Sequence, residues 1–169
     1  AAIGLADLYA RFPLRIGLGL GSGAIALSSQ DTGSGATENR DEAITQAMLL
    51  GLLAGVPFVA FGFLFGGPAI ALLGAPENGA RMGGAYLAVV FASAPARHVA
   101  LVGARSLQGT GDTRTPMYVS VTSSILNIVG SVVLGLGLLG APRLQIVGVG
   151  LATTVSNVFT ASVHTLAIW

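Results

Sequence analysis

The chain has 169 residues, of which 53% are hydrophobic and 9% are charged, and its formal net charge is +1. A soluble domain usually has about 25% charged residues, so this composition, with a mean hydropathy of +0.79, indicates an integral membrane protein. The eight basic residues are all arginines and form no basic face, which excludes nucleic acid as a partner. Because the chain has no cysteine, no metal-ligand spacing and no catalytic motif, we predict neither an enzyme nor a cofactor.

The first predicted membrane span covers residues 2–29. Asp7, Arg11 and Arg15 share one face of a helix with two later serines. An ion exposed to hydrocarbon is costly, so this polar face must contact protein or water. A helix lying flat in the membrane interface is the alternative, but residues 16–27 are apolar on all sides, which favours a span.

Glycines at spacings of four residues occur in this segment and in the next one. The pairs are Gly17 with Gly21, Gly19 with Gly23, and Gly51 with Gly55. Such pairs let helix backbones approach closely in a membrane. We therefore predict that all three pairs lie at helix-helix contacts.

The second predicted span covers residues 43–66. Before it, residues 30–42 hold five of the fifteen charged residues, which predicts a loop in water. After it, the sequence Gly66-Gly67-Pro68 predicts the end of the helix, followed by a short re-entrant segment that ends at Pro76.

The third predicted span, residues 82–107, contains two ionisable residues near its middle, Arg97 and His98. Such residues at mid-membrane depth mark a functional site by default. Asp7 is a candidate partner for Arg97, and we hold Asp7, Arg97 and His98 as candidates for an intramembrane charge or proton relay. A histidine that only makes structural hydrogen bonds is the alternative.

The last two predicted spans, residues 116–138 and 146–169, are uncharged and follow a turn in which Asp112 and Thr113 offer acceptors to the next helix. Each span has a polar stripe at helical spacing. The stripes are Ser120, Ser124, Asn127 and Ser131, and Thr153, Asn157, Thr160 and His164. They either hold helices together or line an aqueous cavity. For the cavity we predict Ser124, Asn127, Ser131, Thr153 and Asn157.

The segment from Leu107 to Pro116, LQGTGDTRTP, resembles the multidrug and toxic compound extrusion (MATE) transporters, as do Leu126-Asn127-Ile128 and the segment from Gly148 to Thr153. The resemblance implies an all-α integral membrane protein of twelve helices in two six-helix lobes, located in the cell membrane. It implies an antiporter that exports drugs or organic cations in exchange for protons or sodium. This chain would supply five transmembrane helices, the second to the sixth of the first lobe, with residues 30–42 and 105–116 in the cytoplasm.

The chain departs from the family pattern at one position. In many prokaryotic members the fifth helix carries an asparagine and, four residues later, an aspartate, and this aspartate forms the cation site together with another on the first helix. Here Asn127 is present, Ser131 stands in place of the fifth-helix aspartate, and the first helix lies outside the chain. Asn127, Ser131 and Thr153 offer only neutral oxygen ligands to sodium. Two alternatives stay open, a related lipid-linked oligosaccharide flippase and a structural membrane subunit without a solute path. Because the chain starts and stops in apolar segments, we expect a fragment, with the second lobe as its missing partner.

Overall fold

The structure, a computed structural model, describes residues 2–169, with side chains from Gly4 onward. This range forms α-helices and turns and no strand, which confirms the predicted all-α class. The helices are α1 (Ala2–Ser34), α2 (Thr37–Leu72), α3 (Glu77–Ala92), α4 (Ala94–Gly109), α5 (Arg114–Leu136) and α6 (Gln145–Ile168). By length and apolar character α2, α5 and α6 can each cross a membrane, and the bent pair of α3 and α4 provides a fourth span.

The predicted loop over residues 30–42 is wrong, because only Gly35 and Ala36 separate α1 from α2. Gly35 has a φ of +75°, a left-handed conformation that glycine adopts without strain and that ends α1. A helix of 33 residues is about 50 Å long, whereas the hydrocarbon core is about 30 Å thick. Both helices are therefore long enough for the charged residues of this region to lie on helical turns outside the hydrocarbon core.

The predicted helix end at Gly66-Gly67-Pro68 and the re-entrant segment after it are also wrong, because α2 continues to Leu72. Gly66 faces α3, where a Cβ atom at position 66 would lie 2.9 Å from the carbonyl oxygen of Gly84. These glycines allow two helices to cross in close contact, and Pro68 stays inside the helix, as prolines often do in membrane helices.

The predicted span over residues 82–107 consists of two helices, α3 and α4, that meet at a bend of 45°. The Ser93 hydroxyl at the bend donates to the carbonyl oxygen of Val90 at 2.8 Å. Pro95 has no backbone N–H and lies in the first turn of α4. The missing donor interrupts the helical hydrogen bonds, which accounts for the bend.

Helix α4 is the centre of the bundle, and it packs against α1, α2 and α6. The prediction for the glycine pairs is confirmed for Gly17 with Gly21 and for Gly51 with Gly55, all of which face α4. A Cβ atom at position 17 would lie 2.7 Å from Leu101 Cδ1. The prediction is wrong for Gly19 and Gly23, where an added Cβ atom would meet nothing within 4 Å in the described part of the chain.

The outer surface of the bundle is apolar. Large hydrophobic side chains are exposed along α2 and α5, among them Leu53, Phe63, Leu64, Tyr118, Ile125 and Ile128. Exposed apolar surface of this extent is typical of contact with lipid. The buried core is correspondingly small and centres on Phe91, Leu87, Ile70 and His98.

Candidate solute groove

A groove of about 500 Å³ lies between α1, α4, α5 and α6. We call it the polar groove, because most of the side chains that line it can form hydrogen bonds. They include Arg97, Arg105, Ser120, Ser124, Asn157 and His164. The groove exists because α5 packs closely on α6 but has few contacts with α4.

Hydrogen bonds between side chains join α5 to α6 beside the groove. Asn127 Nδ2 donates to Thr153 Oγ1 at 3.1 Å, and the Thr153 hydroxyl donates to the carbonyl oxygen of Val149 at 3.0 Å. One turn away, Thr160 Oγ1 lies 2.8 Å from Ser123 Oγ. These bonds hold the helix pair together, and the two polar stripes meet at Asn127 and Thr153.

Asn157 connects α6 to the bend between α3 and α4. Its Nδ2 donates to Ser93 Oγ at 3.0 Å, and Ser93 in turn donates to the backbone of α3. The Thr154 hydroxyl adds a second link, to the carbonyl oxygen of Val89 at 2.9 Å. The bend in this span is thus tied directly to a residue that lines the polar groove.

Four of the five predicted cavity residues lie close together. Ser124 and Asn157 line the polar groove, and both also line an adjoining recess of about 370 Å³ together with Asn127. Thr153 accepts a hydrogen bond from Asn127. Ser131 lies apart, in a separate recess of about 470 Å³ beside Arg143. The role of these residues in transport stays a prediction.

Asp7, Arg97 and His98 do not form a hydrogen-bonded chain among the described residues. The Asp7 carboxylate instead pairs with Arg11 at 3.3 Å, and both side chains are exposed. Arg97 is half-buried and lines the polar groove. His98 is fully buried between α1 and α2, where its Nε2 lies 2.7 Å from the carbonyl oxygen of Pro13 and its Nδ1 lies 3.1 Å from that of Gly51.

His164 lies on the wall of the polar groove and is buried. Its Nδ1 lies 2.9 Å from the carbonyl oxygen of Ala100. Because a carbonyl oxygen only accepts, Nδ1 must carry the proton. The other ring nitrogen, Nε2, has no hydrogen-bond partner among the described residues.

Three residues of this region were not predicted from the sequence: Ser93, Ser123 and Arg105. Ser93 marks the bend, and Ser123 makes interhelical bonds although it lies beside the predicted stripe. Arg105 was not singled out within the predicted span 82–107 or the segment 105–116, and in the structure it lies in α4 and lines the polar groove. Its spacing of eight residues from Arg97 places both on neighbouring faces of one helix, which is the signal that could have found it.

The turn between α4 and α5 is held by Asp112. Its Oδ1 accepts hydrogen bonds from the backbone N–H groups of Arg114 and Thr115, both at 3.0 Å, which confirms the predicted acceptor. The Thr113 side chain makes no such bond. The hydrogen bonds from the side chain and the backbone of Thr115 hold the pKa of Asp112 below its ordinary value, because they favour the ionised carboxylate.

The helices expose apolar side chains on the outside and surround a groove lined by polar side chains. This arrangement is typical of one class of protein, the multi-pass membrane transporters. A family model described as MatE matches residues 1–133. The chain therefore belongs to the MatE family, whose members are transporters and not enzymes.

The relatives agree with this assignment. The chain is 32% identical over 143 residues to the probable multidrug resistance protein YoeA of Bacillus subtilis, a match over 85% of this chain and 31% of that protein. It is 30% identical over 141 residues to the FAD transporter of Shewanella oneidensis, over 83% of this chain and 31% of that protein. The structure of a multidrug resistance MATE transporter in an outward-facing conformation superposes with a TM-score of 0.86 at 26% identity, over 100% of this chain and 37% of that one. The chain spans about a third of the length of these proteins.

Proposed function

We propose that the complete protein is a secondary active antiporter that exports drugs or organic cations in exchange for protons or sodium. In this proposal the chain forms part of the first six-helix lobe, and a second lobe completes the transport path. The names of the relatives support export of small molecules, since one is called a multidrug resistance protein and another a FAD transporter.

The observation that carries the proposal is the polar groove itself. Helices α4, α5 and α6 each contribute polar side chains to it. Hydrogen bonds that only hold helices together need neither open space nor arginines, whereas this groove has both. A cavity of about 500 Å³ is within the usual size of small-molecule sites, about 300–1,000 Å³.

Ion coupling through the residues of this chain would depend on neutral ligands. Ser131 cannot supply the carboxylate that the resemblance implies, and it lies apart from Asn127 and Thr153. The side-chain oxygens of Asn127 and Thr153 are neutral oxygen ligands, and hard cations bind to oxygen ligands. We therefore place any sodium ligands of this chain at Asn127 and Thr153.

The proposal is tested by export of a cationic dye, ethidium, and an anionic dye, carboxyfluorescein, from proteoliposomes that contain the full-length protein, under an imposed proton or sodium gradient. Asn127→Ala is expected to lower gradient-driven export about tenfold, because it removes the side chain that bonds Thr153 and lines the recess. Ser162→Ala is the matched control, since Ser162 is exposed on α6 and donates only to its own helix, at 2.9 Å from the carbonyl oxygen of Val158. If Asn127→Ala exports the dye that the unchanged protein transports as fast as Ser162→Ala does, the site assignment fails.

A structural subunit without a solute path makes a different prediction. The chain has no cysteine, so a single cysteine introduced into it reports on one position. Any cysteine elsewhere in the full-length protein is first replaced. Ser124→Cys should react with a membrane-impermeant thiol reagent because Ser124 lines the groove, whereas Ser162→Cys should not. Equal protection of both cysteines would favour the structural subunit.

The lipid-linked oligosaccharide flippase is the second candidate, and one observation favours it. Such a flippase is expected to carry basic residues in its cavity, and two arginines line the polar groove.

A further inference from the structure

Arg97 is a permanent cation in the middle of a membrane-spanning segment. Its side chain is half-buried and lines the polar groove. In the described part of the chain no acidic side chain forms an ion pair with it, and Asp7, the acid that acts on it from a distance, is paired with Arg11. A guanidinium stays charged even at such depth, so Arg97 needs water or an anion in the groove.

Arg105 brings a second cation to the same groove. It follows Arg97 by eight residues on α4, a distance of about 12 Å along the helix axis. Its aliphatic stem packs on α1, where a Cβ atom at position 21 would lie 2.9 Å from Arg105 Cγ. Its NH1 group donates to Gln108 Oε1 at 3.0 Å, and both residues line the groove.

The side chains that line the polar groove therefore carry a net positive charge. It contains two arginines and, among the described residues, no aspartate or glutamate. The remaining polar groups are hydroxyls, carboxamides and one imidazole, most of which can donate a hydrogen bond. At low dielectric two like charges repel an organic cation strongly, whereas they attract an anion.

We propose that the polar groove binds a solute that carries carboxylate or phosphate groups, with Arg97 and Arg105 as its counter-charges. Guanidinium groups bind both kinds of anion through paired N–H donors in a fixed geometry. The backbone positions of Arg97 and Arg105 are about 12 Å apart along α4, which suits an extended anion, or one with two anionic groups. This inference rests on the proposed export function and narrows its substrates from drugs or organic cations to anionic drugs.

The test compares two dyes in proteoliposomes that contain the full-length protein. Carboxyfluorescein is the anionic probe and ethidium the cationic probe, each under the same proton or sodium gradient. Arg97→Gln and Arg105→Gln are expected to lower carboxyfluorescein export about tenfold each, because each removes a charge-assisted hydrogen bond. Arg97→Lys should retain part of the export, since it keeps the charge but not the paired donors.

Arg81→Gln is the matched control. Arg81 is exposed on α3, where its NH2 group donates to Asn78 at 3.2 Å, and it does not line the groove. Its variant should export both dyes like the unchanged protein. If Arg97→Gln fails to fold, as judged by its size-exclusion profile, Arg105→Gln still decides, because that side chain is exposed and makes no buried contact through its charged group.

The outcomes separate this inference from the export function. Export of ethidium without carboxyfluorescein overturns the inference and leaves the proposed function intact. Carboxyfluorescein export that is unchanged in both glutamine variants also overturns the inference. Export of neither dye overturns both proposals. An additional assay follows fluorescent phosphatidylglycerol across the bilayer, and translocation of this lipid that depends on Arg97 identifies a lipid headgroup, rather than a free solute, as the anion.

Discussion

The crossing of α2 and α3 gives a sharp prediction, because glycines from both helices meet there. A methyl group added at position 84 would place Cβ 2.6 Å from the backbone nitrogen of Gly67 and 2.7 Å from its Cα. Ordinary contacts begin at about 3.4 Å. Since the opposing atoms belong to the backbone of a helix, no side-chain rotation relieves the overlap, and Gly84→Ala must separate the two helices by several tenths of an ångström.

The size of the effect follows from two opposing contributions. Overpacking a tight contact usually costs about 1–3 kcal/mol. Replacing a helical glycine with alanine gains about 0.5–1 kcal/mol, because the unfolded chain loses freedom. We therefore expect Gly84→Ala to destabilise the protein by about 1–2 kcal/mol.

Gly67→Ala is the control, because Gly67 lies in the same contact region but a Cβ atom there meets nothing within 4 Å. This variant should gain about 0.5 kcal/mol. The measurement is the melting midpoint of the full-length protein in detergent, followed by size exclusion of a fluorescent fusion. Gly84→Ala should melt below the unchanged protein and Gly67→Ala at or above it. If Gly84→Ala has the same melting midpoint as Gly67→Ala, the close crossing of α2 and α3 is refuted.

Two further predictions concern buried and capping hydrogen bonds. His98→Leu is expected to lower stability by about 2 kcal/mol, because the buried ring contacts carbonyl oxygens of both α1 and α2; a melting midpoint equal to that of the unchanged protein would contradict this. Asp112→Asn is expected to speed amide hydrogen exchange in the first turn of α5, because the amide oxygen is a weaker acceptor than the carboxylate. The pKa of Asp112 is lowered in the folded state, so its stabilisation is complete above its ordinary pKa of about 3.9 and is lost only as the pH falls through the lower folded value. The difference in exchange between the two proteins should therefore stay constant from about pH 8 to pH 5, and a loss of that difference within this range would argue against an ionised cap.

The helices could be predicted from the sequence because apolar runs of membrane length are a local signal, but two of their boundaries could not. Gly66-Gly67-Pro68 has the composition of a helix end, and it stays helical because Gly84, far away in the chain, packs against it. Residues 30–42 are polar enough for a loop. They are helical because a helix satisfies its own backbone hydrogen bonds in water as well as in a bilayer. Charge alone therefore does not distinguish a loop from a helix that extends beyond the membrane.

The site was predicted in part for the same reason. Periodicity placed Asn127 and Thr153 on the faces of α5 and α6 that meet, and they are hydrogen-bonded. It could not give the angle at which the two helices pack, and that angle decides which neighbours of a stripe also face the partner. Ser123 therefore joins the interface although it lies beside the stripe, whereas Ser131, on the stripe, faces a different recess.

The polar stripes make helix contacts in this fold, and two of their residues, Ser124 and Asn157, also line the groove that we propose as a solute site. Ser123, Asn127, Thr153 and Thr160 hold α5 to α6, and α6 is held to the bend of the third span through Asn157. Helix α5 is therefore attached to the bundle mainly through α6 and has few contacts with α4. The polar groove is the space that this arrangement leaves between α5 and the arginines of α4. A solute that contacts both walls would supply contacts that the two helices do not make with each other, so its binding would depend on how α5 and α6 are held as a pair.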